Sequence, residues 1–398
     1  MHYIERYWSR ILDFFGKRET DGFVMTWRFL RNVICKGITL FILFNLAIVS
    51  IKPTDVLARF TLYNWILPGR LRLPFGEKPQ KSYNLSLYNF DAMFASHVIS
   101  ARFQNGKNFR IVIIGDSSVW GTLLRPEETL AGILINSNLI CDEKPVVVYN
   151  LGYPTLSLIK DLMLLDQVTK YKPDLIFWLV TLESFPKQKQ LDSPIVVNNP
   201  ERIGHLINQY HLRLDESLIS PESWMDRTII GQRRPLSDWF RLQLYGFLWA
   251  ATGIDQEYPD IFTPAERDLE NDSKFLIFSP PLLDENWLAW DVMRAGLRIA
   301  INNHIPILII NEPILISKGE NSSIRYNFYY PRWAYNQYRE MMAKYSVDEG
   351  WNYIDLWDIV PETEFTNSAI HLSSIGEGIL AEVILSRLNQ FKDIECVR

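Results

Sequence analysis

Short apolar runs alternate with stretches of helical spacing over most of this chain, and few folds accommodate that pattern. Residues 110–114 (RIVII) run into Gly115, and 146–151 (VVVYNL) run into Gly152. Residues 175–182 (LIFWLVTL), 305–310 (IPILII) and, more weakly, 353–356 repeat the pattern. Continuous β-branched runs of this length read as strands covered on both faces. Helical patterns fall between and after them, at about 126–137, 155–170, 285–303, 331–349 and 373–391. Strand–helix alternation calls for right-handed crossovers and a parallel sheet of about five strands with helices on both sides. Ligands of such sheets bind at the carboxyl ends of strands, so the loops after the first three strands matter most. Residues 186–275 break the rhythm, with a helix expected over about 236–252. This insertion reads either as a lid or as a packing excursion.

A second pattern precedes the alternation. Residues 33–51 (VICKGITLFILFNLAIVSI) carry one charge, Lys36, and are just long enough to cross a bilayer. Lys36 lies one turn from the start, where it can snorkel, and Pro53 ends the helix. Thirty-two residues precede the stretch and no A-x-A site follows it, unlike a cleaved signal peptide. Arg28 and Arg31, with Arg6, Arg10, Lys17 and Arg18 further out, load its N-terminal side. The positive-inside rule then keeps the N-terminus cytoplasmic and puts the main domain outside. Ile4, Trp8, Ile11, Leu12 and Phe15 recur at helical spacing, suiting an amphipathic segment on the inner leaflet or on a membrane-protein partner. The expected organisation is a cytoplasmic segment (1–26), a transmembrane anchor (27–52), a membrane-proximal connector (53–108) and an α/β domain (109–398).

Composition narrows the partners. Of the 398 residues, 41 are basic and 46 acidic, for a net charge of -5. No basic excess exists to neutralise a phosphate backbone, so nucleic acid is not an expected partner. Cys35, Cys141 and Cys396 lack CxxC spacing, and no HExxH or clustered His/Asp set occurs, so neither metal nor cofactor is expected. One Cys141–Cys396 bridge is available to an exported domain. The 13 Trp and 18 Tyr suit ordinary packing, or a domain resting beside a bilayer.

Three loops hold the candidate chemistry. After the first strand comes Gly115-Asp116-Ser117-Ser118-Val119-Trp120-Gly121. A serine at such a strand-to-helix turn is exposed at the sheet edge, with free backbone N–H groups beside it. That suits a nucleophile whose own N–H serves an oxyanion, though Asp116 or Ser117 could equally be a plain N-cap. After the second strand comes Asn150-Leu151-Gly152-Tyr153-Pro154, where a glycine lets backbone approach a ligand or simply makes a tight turn. His371 stands in a late loop at the same edge, just before the last long helix.

Together these blocks resemble the GDSL or SGNH hydrolase superfamily, over roughly residues 110–391. Ser117 in GDSSVWG matches the first block, Gly152 the second, and His371 in IHLSSIGEGILAE the last. The resemblance implies a flavodoxin-like three-layer α/β/α fold and acyl-ester chemistry. Ser117 would be nucleophile and His371 base, with an oxyanion held by the N–H groups of Ser117 and Gly152 and an Asn side chain. Asn150 is a further candidate for the oxyanion or binding side.

Two departures stand out. Glu183 takes the place of the oxyanion Asn, and an ionised carboxylate cannot donate to an oxyanion. The family's Asp three residues before the histidine is Ser368 here, preceded by Asn367. Either could orient the imidazole, as could Glu183, Asp355 or Glu364; Asn198, Asn199 or Asn311 could supply the missing donor. Some exported, membrane-anchored relatives, as in alginate O-acetylation, transfer or remove acetyl groups on envelope polysaccharides. The expected function is therefore an anchored esterase or O-acyltransferase. The alternative is a catalytically inactive domain that binds a glycan or serves a membrane complex.

Overall fold

The computed structural model describes residues 26–76, 78, 81–101, 107–220, 222–388 and 394–397. The amphipathic segment expected before residue 26 lies outside them. The chain forms two compact units, residues 1–52 with 224–231, and residues 53–223 with 232–398.

The helices used below are α1 (Trp27–Ile51), α2 (Pro53–Ala58), α3 (Leu62–Ile66), α4 (Ser117–Trp120), α5 (Leu130–Asn136) and α6 (Leu158–Val168). They continue with α7 (Trp224–Arg227), α8 (Ile229–Thr252), α9 (Trp290–Asn302), α10 (Arg332–Glu349) and α11 (Ser374–Leu388). In the first unit, α1 is long and apolar enough to cross a membrane. It starts six residues before the apolar run, capped by the Thr26 hydroxyl accepting from Phe29 N–H. Its one buried residue is Asn45, the polar interruption in the run. The Asn45 amide donates to Phe41 O (2.9 Å) and accepts the N–H of Ile229 (3.1 Å), so neither end is left unpaired in an apolar setting.

The second unit is built on a seven-stranded sheet: β1 (Phe109–Gly115), β2 (Ile140–Cys141), β3 (Lys144–Gly152), β4 (Leu175–Val180), β5 (Ile307–Asn311), β6 (Tyr353–Asp355) and β7 (Cys396–Val397). Their order is β6-β5-β4-β1-β3-β2-β7. The five expected strands are the parallel ones, β6, β5, β4, β1 and β3. Counted among themselves in chain order they lie 2-1-3-4-5, the flavodoxin-like arrangement. The sheet is nevertheless mixed, because β2 and β7 extend the β3 edge antiparallel. At two residues each, they are too short to leave a periodic trace. The Cys141–Cys396 disulfide joins them.

Strand residues alternate between two cores, giving three layers. Val112, Ile114, Ile176 and Trp178 pack with α6, α9 and α10 on one face. Ile111, Ile113, Phe177 and Leu308 pack with α5 and α11 on the other. Both faces are covered, so both sets are apolar and the runs read as continuous. The topological switch lies at β1, between β3 and β4. The loop leaving the carboxyl end of β1 is therefore the favoured ligand position, and it carries Ser117.

Candidate active site

β1 stops at Gly115, and α4 starts two residues later. Asp116 caps this short helix, its Oδ1 accepting Ser118 N–H at 2.8 Å. With Asp116 as the cap, the Ser117 side chain is free to point elsewhere. Ser117 is half-buried at the sheet edge, and its N–H has no partner among the described residues.

The histidine arrives from the opposite end of the chain. Phe365 and Leu372 pair as an isolated antiparallel bridge, and Thr366 N–H donates to His371 O at 2.8 Å. This closes a tight loop around residues 366–371. Across it, the His371 Nδ1 meets Asn367 Oδ1 at 2.8 Å, and the Nε2 meets Ser117 Oγ at 2.7 Å. An amide oxygen only accepts, so Nδ1 carries the proton and Nε2 presents its lone pair to the serine hydroxyl. Burial holds the imidazole down at about 4, so it is unprotonated at neutral pH and its Nε2 lone pair is available. Ser368 is buried and lies toward the Tyr329 hydroxyl instead. Asp355 pairs with Arg339, and Glu364 accepts from Ser373. Of the orienters considered, Asn367 is the one in place.

The other side of Ser117 departs from expectation. Gly152 N–H donates to Asn150 Oδ1 at 2.9 Å, and Asn150 Nδ2 donates to Val119 O at 2.6 Å. The two groups expected at an oxyanion are thus engaged: the Gly152 N–H bonds within β3, and the Asn150 amide ties β3 to α4. The glycine is required for packing, because a Cβ at 152 would lie 2.3 Å from Trp120 N. Glu183 is buried in the turn after β4 and paired with Lys189. Asn199 braces Tyr88 and Phe90, Asn198 turns to Pro194 O, and Asn311 bonds Asp355. Among the expected donors, Ser117 N–H is the one left without a partner.

A buried polar layer under the nucleophile turn was not foreseen. Ser118 Oγ donates to Glu312, the residue after β5, and the Glu312 and Asp116 carboxyls are close enough to influence each other. Burial first, then the charge of Asp116, pushes Glu312 well above the usual carboxylate range. Lys160 Nζ donates to Gly115 O at 2.6 Å and pairs with Asp161 at 2.5 Å; Trp178 Nε1 donates to Asp161. The sequence held one hint, a Lys-Asp pair inside the apolar run LIKDLMLL of α6. Arg72, from the connector, caps the far end of the turn. Its Nη1 donates to Trp120 O, Gly121 O and Leu124 O, while Asp255 holds its other edge at 2.5 Å.

No family model and no curated protein matches the sequence. Solved structures do. A member of the lipolytic G-D-S-L family from Veillonella parvula aligns with a TM-score of 0.35 and 10% identity, over 71% of this chain and 99% of its own. The esterase EstA from a Pseudoalteromonas species aligns at 0.35 and 10%, over 71% and 98%. The acetyl xylan esterase AlAXEase aligns at 0.33 and 12%, over 70% and 99%. Overlaps this small assign neither fold nor reaction. In its three sequence blocks and in these overlaps, the chain is similar to the GDSL/SGNH hydrolases.

Proposed function

We propose that the chain is a serine esterase acting on an acyl ester through Ser117, His371 and Asn367. The observation that carries this reading is the unbroken line Ser117 Oγ, His371 Nε2, His371 Nδ1, Asn367 Oδ1, with contacts of 2.7 and 2.8 Å. Asn367 fixes the tautomer. Ser117 Oγ attacks the acyl carbon while its proton passes to Nε2, and the carbonyl oxygen becomes an oxyanion facing Ser117 N–H. The imidazolium returns the proton to the leaving alcohol as the ester bond breaks. Water then attacks the acyl-serine, His371 taking its proton, and free serine is regenerated with the carboxylic acid. If a sugar hydroxyl attacks instead, the product is a new ester and the enzyme is an O-acyltransferase.

We place this site outside the cytoplasmic membrane, tethered by α1, acting on an acyl ester of envelope polysaccharide. The basic residues before α1 and the Cys141–Cys396 disulfide support the outward topology. A fluorophosphonate probe and p-nitrophenyl acetate turnover test the chemistry. Labelling of the wild type that disappears in Ser117→Ala is expected; equal labelling of both overturns it. A second reading, an inactive glycan-binding domain, is favoured by the engaged Gly152 N–H and by Glu183 standing where a neutral donor belongs. It requires an unlabelled wild type and glycan binding that survives Ser117→Ala.

A further inference from the structure

We propose that residues 255–265, late in the insertion, form a strap that ties the nucleophile turn to the histidine loop, with Arg72 and Gln256 as positioning residues for Ser117. These roles rest on the esterase reading of Ser117 and His371, and add a device that reading does not contain.

The turn that carries Ser117 does not hold itself. α4 is a single turn of four residues, too short to be stable on its own hydrogen bonds. The carbonyls at its end need donors from elsewhere. Leu123 beyond it has a φ of 68°, a left-handed conformation that a leucine seldom adopts. Two distant side chains hold this stretch. Gln256 Nε2 donates to Gly121 O at 2.9 Å and Leu124 O at 2.8 Å, and Gln256 Oε1 accepts Leu123 N–H at 3.0 Å. Arg72 takes the remaining side through Trp120 O, Gly121 O and Leu124 O. Arg72 is itself buried and set by Asp255, whose carboxylate accepts Nε and Nη2 at 2.7 and 2.5 Å. Gly121 N–H and Thr122 N–H donate back to Ser117 O at 3.1 and 3.2 Å, so a shift of residues 120–124 is a shift of Ser117.

The same segment then reaches the other catalytic loop. Ala265 N–H donates to Thr366 O at 2.8 Å, while Thr366 N–H donates to His371 O. Ala265 is buried in the same apolar core as Phe365 and Leu372, the pair that closes the histidine loop. Arg267 pairs with Glu362 at 2.9 Å, just before that loop. Between the two attachments, residues 257–264 (EYPDIFTP) are exposed throughout and make no backbone–backbone hydrogen bond among the described residues. Pro259 and Pro264 fix φ at two of these eight positions and restrict the residue before each, so the span is a stiff spacer and not slack chain. A segment packed only at its two ends, one on each catalytic loop, sets the spacing of those loops. The 2.7 Å contact of Ser117 Oγ with His371 Nε2 depends on that spacing. A misplacement of about 1 Å between reacting groups costs up to about 10²-fold in rate.

The test uses the full chain in detergent micelles with p-nitrophenyl acetate and a fluorophosphonate probe. Gln256→Ala should lower kcat about tenfold and leave KM within about twofold. Arg294→Ala, which breaks a surface pair between α9 and α10, shows how far a loss of stability alone moves kcat. A fall in Gln256→Ala no larger than in Arg294→Ala overturns the positioning role. Two glycines inserted between Asp260 and Ile261 lengthen the strap and break no bond. They should lower kcat at least about threefold at an unchanged thermal midpoint, and add nothing to Gln256→Ala, which has already released that end. An insertion with wild-type kcat, or one whose effect multiplies with that of Gln256→Ala, overturns the strap. Hydrogen exchange gives a reading that needs no turnover: in Gln256→Ala it should quicken at residues 366–371 as well as at 120–124. A rise confined to 120–124 overturns the strap. A wild type that neither labels nor turns over ester sinks the esterase reading instead, and hydrogen exchange then decides the strap by itself.

Discussion

On one side of Ser117 the His371 imidazole and the Asn367 amide are aligned and in contact; on the other, Gly152 N–H and Asn150 are bonded to each other and Glu183 to Lys189. The base side is held by a closed loop whose backbone bonds place His371 whether or not substrate is present. The oxyanion side uses its polar groups to fasten β3 to α4. A single serine can thus be fully equipped for proton transfer and sparsely equipped for stabilising the charge that follows. On the proposed esterase reading, nucleophile activation is preorganised and Ser117 N–H is the donor left for the oxyanion.

Removing the nucleophile tests whether the assembled side matters at all. Ser117→Ala should lower kcat/KM for a p-nitrophenyl ester by at least about 10³-fold, the scale for loss of a catalytic serine. Unchanged turnover would dissolve the comparison, since the base would then have nothing to activate. Asn367→Ala comes next. It takes away the partner of His371 Nδ1–H and frees the ring to turn or change tautomer. A loss of about 10–100-fold in kcat is expected, the scale of one hydrogen bond to a catalytic group, with KM little changed.

The sparse side is probed by Gly152→Ala. The added methyl lies against Trp120 N and forces α4 away from β3, costing about 1–3 kcal/mol of stability. The thermal midpoint should fall, and any loss of kcat/KM per folded molecule should accompany that fall, because α4 begins with Ser117. A normal midpoint with a collapsed kcat would mean that residue 152 acts on substrate, and the asymmetry would be gone.

What sequence reveals about this molecule follows the range of each interaction. The five parallel strands were legible because burial on both faces writes continuous apolar runs. β2 and β7 were not, because two residues carry no period and their pairing joins positions 255 residues apart. Ser117 and His371 were legible from local turn patterns. Asn367 and Ser368 stood as equal candidates, because which of them faces an imidazole depends on backbone direction inside a closed loop. The Glu312–Asp116 pair and Arg72 were silent, because each acts across the fold on a residue far away in the chain. For Gly152 the sequence alone does not separate the two roles: a glycine needed for close helix–strand approach looks the same as one that offers its N–H to a ligand.

The finest distinction lies in the charge of the orienting group. Asn367 accepts the Nδ1 proton but is neutral, so it stabilises the imidazolium less than a carboxylate would, and burial leaves His371 at about 4 against an ordinary 6.5. The free base persists down to that pH, so the acid limb of kcat/KM should fall near pH 4. Asn367→Asp puts a carboxylate at the same contact, which favours the charged ring and should move the limb up by about one unit or more. Stability gives an independent reading. Between pH 6.5 and 4 the unfolded chain binds a proton at His371 that the folded chain refuses, so folding weakens as pH falls through that window. Raising the folded value narrows the window, so Asn367→Asp should lose less stability than wild type between pH 6.5 and 5. A limb and a melting profile that both stay put would show that residue 367 does not control the imidazole, and the base side would be no better organised than the oxyanion side.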